Sequence, residues 1–243
     1  MKIALLIPTY NEAENVSTLL TLVSEISRKN PDIHLTAYII DDNSPDGTIA
    51  RVEAVAPKVE YECFKIKIIK RLVKNGLGVA YIQGFHEALA DEETAFVIQM
   101  DADLSHSPAY LGQFFTCARN GIDLTVGSRY IKGGAVPDWS VHRKLLSKFG
   151  NLYARLLLGN QITDYTGGYN MFSSALVRGL DFTKLNTSGY GFLISLKFHA
   201  ITLSRTIHQI PIVFFDRKFG ESKMPLNTMV KNFKLVLDLW LKK

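Results

Sequence analysis

The chain has 243 residues, 47% of them hydrophobic, so it is long enough to bury one sizeable core and too apolar to be disordered. A net charge of +5 favours an anionic partner, but Lys and Arg are dispersed and no helix-turn-helix, zinc-finger or RNA-binding signature accompanies them, so nucleic acid is not expected. Cys63 and Cys117 lie far apart with no second thiol or histidine at ligand spacing, which argues against a disulfide framework or zinc site and fits a reducing, cytoplasmic compartment. Met1 runs into a short apolar segment and then Pro8, and no run of 18 apolar residues occurs, so neither a signal peptide nor a membrane span is expected.

In chain order, residues 3–7 read as a strand stopped by Pro8, and Val16, Leu19, Leu20, Val23 and Ile26 form a helical stripe over 12–28. The unit recurs: an apolar 35–41 and a helix from Asp46, an apolar 66–70 and a helix over 78–90, an apolar 95–100 and a helix from Pro108 to about Asn120, then an apolar 123–127. Strands that are apolar throughout predict an α/β fold with a mostly parallel sheet covered by helices on both faces, whose ligands bind beyond the carboxyl ends of the strands. Past residue 130 the alternation breaks into a Gly/Pro loop, an amphipathic helix over 141–158 expected to pack in the core, a strand near 168–172 and a helix-plus-strand portion to 215. Residues 226–241 form a last apolar stripe flanked by Lys231, Lys234, Lys242 and Lys243, a helix that can lie on a membrane surface or pack on the domain.

The polar residues gather at the strand ends. Pro8-Thr9-Tyr10-Asn11-Glu12 follows the first strand, where Glu12 can reach a ribose or base edge, or merely cap the next helix. After the second come Asp41-Asp42-Asn43-Ser44-Pro45-Asp46-Gly47, three carboxylates that repel unless something cationic or donor-rich sits there; Asp46 reads as a helix cap, and Asp41 or Asp42 as a base or ribose contact. Lys74-Asn75-Gly76-Leu77-Gly78, after the third, is a phosphate-side signal. Asp101-Ala102-Asp103 leaves the fourth strand with two carboxylates at i and i+2 turning into one open space, hard oxygens suited to Mg²⁺ or Mn²⁺ bridging a pyrophosphate; capping of the helix near Ser107 is the structural alternative. Later, Arg129, Arg143, Arg217 and Lys223 supply cations that match phosphate geometry.

With PTYNE, DDNSPDGT, DADLSHSP, GSRY, WSVHRKLLSKFGN and FFDRKFGESK in this order, the chain resembles the family 2 glycosyltransferases, specifically the dolichyl- and polyprenyl-phosphate mannose synthases, over about residues 1–223. The resemblance implies the GT-A fold, an inverting transfer from a GDP-mannose-like nucleotide sugar, Mg²⁺ or Mn²⁺, and a polyprenyl or dolichyl monophosphate acceptor. It also implies a position peripheral to the cytoplasmic face of a membrane, with a separate membrane anchor protein as one way of reaching it. Residue by residue, Pro8, Tyr10, Glu12, Asp42 and Lys74 would line the nucleotide sugar, Asp101 and Asp103 the metal and diphosphate, and Arg129, Arg143, Arg217 and Lys223 the acceptor and donor phosphates. Residues 1–223 would form the transferase domain, its halves meeting at 128/129, and 224–243 a C-terminal amphipathic helix. The pattern is broken at Asn170, where relatives often carry arginine, at Leu193 and Ser195, where they carry glutamine and glutamate, and at Ser105, where a glutamine often adds a metal-side ligand. Rival readings are a transferase of the same fold using UDP-glucose or a non-lipid acceptor, and a non-catalytic nucleotide-sugar-binding module.

Overall fold

The computed structural model describes residues 1–185, 189–216 and 226–242. The alternation predicted for the first half is present as β1 (Lys2–Thr9), α1 (Val16–Arg28), β2 (His34–Asp41), α2 (Thr48–Val59), β3 (Phe64–Lys70), α3 (Leu77–Leu89), β4 (Thr94–Gln99), α4 (Leu111–Arg119) and β5 (Leu124–Ser128). The second half adds α5 (Val141–Leu158), β6 (Asn170–Ser173), α6 (Ser174–Arg178), α7 (Gly189–Leu203), β7 (Ile207–Pro211) and α8 (Leu226–Leu241). Seven strands form one sheet in the order β3-β2-β1-β4-β6-β5-β7, parallel except for β6, which runs antiparallel to both neighbours. Helices cover both faces and divide the core in two: α1, α2 and α4 seal one side, α3, α5, α6, α7 and α8 the other.

The stripe of α1 explains its docking, since Val16, Leu19, Leu20 and Val23 are fully buried, each stabilising by roughly 1.5–3 kcal/mol. The helix starts at Val16 rather than at residue 12, because Asn11 takes a left-handed φ of 60° and the Glu12 carbonyl accepts from the amides of Asn15 and Val16. On the other face Gly84 lets α3 approach the sheet: a Cβ there would lie 2.5 Å from Ile40 Cδ1.

One expectation for the second half is met only in part. The helix over 141–158 gives only one edge to the core, through Ala154 and Leu158 with Tyr153 and Leu157 against them, while Val141, Leu145, Phe149, Leu152 and Leu156 follow one exposed face at spacings of three and four. α8 packs on α5 and α7, with Phe233 against Phe149 and Tyr153, yet leaves Val230, Leu237, Trp240 and Leu241 exposed. α7 is apolar nearly all round and buried accordingly, apart from one charged residue in its described interior, Lys197.

Sheet register places the site. Thr9 pairs with Asp41 and Asp41 with Lys70, while Gln99 lies beside Leu6, so the loops after β1, β2 and β4 leave the sheet along one edge. β1 lies between β2 and β4, and the connections diverge there, opening a crevice at the switch in strand order.

Candidate active site

That crevice holds a cavity of about 720 Å³ lined by all the described residues assigned above to donor, metal or phosphate: Pro8, Tyr10, Glu12, Asp42, Lys74, Asp101, Asp103, Arg129 and Arg143. Arg217 and Lys223 lie outside the described residues.

On the nucleotide side the three acids of DDNSPDGT each have a different partner. Asp41 accepts from the Thr9 hydroxyl and from the amide and hydroxyl of Ser44, so it is structural. Asp46 is not the helix cap, a position held by Gly47; one residue further out it accepts from the amide and hydroxyl of Thr48 and from the Ala13 amide, tying the first turn of α2 to the neighbouring loop. The Ser44 and Thr48 hydroxyls accept from the amides of Asn11 and Glu12, which laces the loop after β1 to the loop after β2. Asp42 is left facing the cavity, ion-paired to the buried Arg71, the cation that the acid cluster called for. Burial raises the Asp42 carboxyl above its ordinary value, and Arg71 opposes the shift. Lys74 places its ammonium 3.4 Å from the Tyr10 ring centroid, a cation–π contact at the cavity wall.

Past the end of β4, Asp101 and Asp103 are fixed from behind. His106 accepts the Asp101 amide at Nδ1, 3.0 Å away, so the neutral ring carries its proton on Nε2. Its burial lowers the imidazole pKa, with Asp101 opposing. Leu104 turns the chain with a φ of 63°, and Asp103 Oδ1 accepts from both the Ser105 amide and the Ser105 hydroxyl, at 3.0 and 2.5 Å. Ser105 therefore orients Asp103 where the family pattern offers a glutamine. Gly168 closes the other side; a Cβ there would lie 3.2 Å from His106 Cε1 and 3.5 Å from Asp101 Oδ1. Among the described residues no group of three or more His, Cys, Asp or Glu could hold a metal. Two hard carboxylates lining one cavity would suit a divalent ion that drew its remaining oxygen ligands from a substrate and water.

The wall of the cavity opposite the nucleotide-assigned loops is built on a buried pair. Arg129 donates Nε and Nη2 to Asp164, each at 2.7 Å, and Nη2 also to the Thr166 hydroxyl. Asp164 is fully buried, and Arg129 holds its carboxyl far below the ordinary range against the effect of burial. Arg129 thus reaches the cavity as one half of an ion pair. Arg143 begins α5, lies 4.0 Å from the Trp139 ring centroid and pairs with Asp216 at 2.7 Å, half-exposed and facing the cavity. Beyond it the wall turns apolar, with Leu146, Tyr153, Leu193, Ile194, Phe233 and Val236 drawn from α5, α7 and α8. Of the pattern-breaking positions, Leu193 belongs to this wall, whereas Asn170 and Ser195 are fully buried behind it.

Arg71, His106, Trp139, Asp164 and Lys197 were not singled out from the sequence. A signal existed for Arg71 in the unpaired acids at the end of β2, and for Lys197 in a lone lysine within an apolar helix. Asp164 gave none, because its partner is 35 residues away.

The sheet order and its helical layers are those of a GT-A glycosyltransferase, and the comparisons give the family. The family model for glycosyl transferase family 2 matches residues 4–180, and the chain belongs to that family. The chain is 37% identical over 219 residues to the polyprenol monophosphomannose synthase of Mycolicibacterium smegmatis, covering 90% of this chain and 79% of that protein. It is 35% identical over 224 residues to the undecaprenyl-phosphate mannosyltransferase of Micrococcus luteus, covering 92% and 88%. A mannosyltransferase from Pyrobaculum calidifontis, solved with GDP-Man and Mn²⁺, shares the fold with a TM-score of 0.59 at 14% identity, over 99% of this chain and 73% of that one.

Proposed function

We propose that the protein transfers mannose from GDP-mannose to a polyprenyl or dolichyl-type monophosphate with inversion at the anomeric carbon. The observation that carries this reading is the continuity of the cavity: from the nucleotide loops and the paired aspartates it passes Arg143 and runs into an apolar wall between α5, α7 and α8. Such a site suits an anion with a hydrocarbon tail, and the two mannosyl-transferring relatives are named for lipid phosphates of that kind.

Pro8, Tyr10, Glu12, Asp42 and Lys74 bind the nucleotide. Asp101 and Asp103 hold Mg²⁺ or Mn²⁺, which when bound neutralises the departing diphosphate. A phosphomonoester has its second pKa near 6 and is largely dianionic at neutral pH, so its oxygen attacks C1 without a general base. The C1–O bond to GDP breaks with its electron pair left on the β-phosphate, and no proton need move. Arg143 orients the acceptor anion, with Arg129 beside it and Arg217 and Lys223 completing the set, since bringing two anions together is the larger task.

The exposed stripe of α5 and the exposed edge of α8, flanked by Lys148, Lys231, Lys234 and Lys242, support docking on an anionic membrane surface, directly or beside an anchor protein. Among the described residues no helix is long and apolar enough to cross a membrane. In this reading residues 1–223 do the chemistry, 224–243 add a membrane-facing helix, and the work takes place on the cytoplasmic face.

The test is transfer of labelled sugar from GDP-mannose and, in parallel, UDP-glucose to a short polyprenyl phosphate with Mn²⁺, Mg²⁺ or EDTA. Metal-dependent product from GDP-mannose is expected. Product from UDP-glucose alone would replace the donor, and nucleotide binding without product would turn the reading toward another acceptor or a non-catalytic module.

A further inference from the structure

The loop of residues 164–168 joins the acceptor side to the metal carboxylates. Asp164 holds Arg129, Thr166 accepts from the same guanidinium, and Gly168 packs on Asp101 and His106. Lys197 holds this loop from beneath. Its side chain crosses from α7, is fully buried, and donates Nζ to the carbonyls of Asp164 and Gly167 at 2.8 and 2.6 Å. Lysine is almost never fully buried unless paired, and both of its contacts go to this one loop.

Asn170 on β6 donates Nδ2 to the same Gly167 carbonyl at 3.2 Å and to Gln99 at 3.3 Å. Residues 170 and 197 therefore meet on one oxygen from opposite sides of the loop. Asparagine is short and neutral at a position where the family pattern carries arginine, and the long nitrogen donor in this layer arrives from α7 instead.

We infer that Lys197 is a positioning residue for the metal–diphosphate corner of the site, fixing the 164–168 loop against Asp101 in place of a cation at position 170. The inference rests on the glycosyltransferase reading. Removing the amine takes its donor from the buried Asp164 carbonyl, leaves the Gly167 carbonyl to Asn170 Nδ2 alone, and frees Gly168 to move relative to Asp101. Outer contacts of this kind change metal affinity without touching the metal.

The experiment is calorimetric titration of GDP, with UDP in parallel, into the full-length chain with Mn²⁺ and with EDTA. In Lys197→Met the Mn²⁺-dependent affinity falls about tenfold or more. The affinity in EDTA, made by the loops after β1 and β2, stays at the wild-type value. In the double variant Asn170→Arg with Lys197→Ala, where the lost volume makes room for an arginine that reaches Gly167 from β6, most of the Mn²⁺-dependent affinity returns. A folded Lys197→Met protein with a lower melting temperature but unchanged Mn²⁺-dependent affinity would overturn the inference, because the amine would then serve stability alone. Should Lys197→Met not fold, the double variant decides: recovery supports the inference, and a folded double variant lacking Mn²⁺-dependent binding overturns it. Failure of both to fold also overturns it, as the amine would then be needed by the fold at large. A wild-type chain that binds neither nucleotide in either condition removes the reading beneath the inference, and the inference with it.

Discussion

The two sides of the cavity are held by different means. The nucleotide side is laced by short side-chain-to-backbone hydrogen bonds between the loops after β1 and β2, with Ser44, Asp46 and Thr48 satisfying amides of residues 11–13. The acceptor side depends on one buried charge cluster, Arg129, Asp164 and Lys197, and on α5 and α8, whose apolar faces stay partly exposed. The first arrangement distributes its stability over many small contacts in a polar slot. The second concentrates it in a few desolvated groups and leaves apolar surface exposed beside the cavity.

The comparison can be broken at four points. The largest effect is expected where the two sides meet: Asp103→Asn keeps an acceptor for Ser105 but loses the charge, and transfer should fall by about 10³-fold, roughly 4 kcal/mol, in a steady-state assay. Undiminished activity would remove Asp103 from the metal site. Next is Asp164→Asn, which leaves Arg129 and Lys197 buried without their anion; chemical denaturation should show a loss of about 3 kcal/mol or more. By contrast Ser44→Ala, one stitch among several on the nucleotide side, should cost about 1 kcal/mol in the same experiment, and equal losses would erase the contrast.

The third point is pH. Burial lowers the Lys197 ammonium from its ordinary 10.5 to about 7, opposed by Asp164 and reinforced by Arg129. Between about pH 7 and 10 the unfolded chain therefore holds a proton that the folded chain has released. Stability should rise with pH across this window, with a contribution of up to about 1.4 kcal/mol per pH unit, and show no such slope from this group below it. Lys197→Met should remove the slope in denaturation curves taken between pH 7 and 9.5. Buried Cys117, Tyr81 and Tyr169, raised by burial, add an opposing slope toward the upper end of this range in both proteins, so the readout is the difference between wild type and variant.

The smallest effect concerns the exposed face. Leu145→Ser with Leu156→Ser should leave folding stability within about 0.5 kcal/mol per site, both residues being more than 60% exposed. Binding to anionic vesicles should weaken about tenfold in a sedimentation assay. Unchanged vesicle binding would assign the stripe to another occupant.

Much of this was legible in the chain. Continuous apolar runs and period-3.6 apolar stripes marked the alternation of the first half, because a central parallel strand buries both faces and each helix buries one stripe set by its own neighbours in sequence. The strand-end clusters marked the donor side because a parallel sheet brings its carboxyl ends together whatever the details of packing. Legibility failed where partners are distant or where exposure decides. The stripe of α5 has the same pattern whether it meets the core or solvent, and only the packing of α8 across one of its faces showed that Leu145 and Leu156 stay outside.

By itself the sequence determined the α/β class, the strand ends that carry chemistry, and, through the order of its motifs, the family. Tertiary structure alone decided which of the acids at the end of β2 faces the cavity, that Arg129 reaches it already paired to Asp164, and that a lysine 33 residues from Asp164 in sequence supports the loop beside Asp101. The reason is physical: local patterns encode which face of an element is apolar, whereas the state of a buried charge depends on groups that only folding brings within a few ångströms.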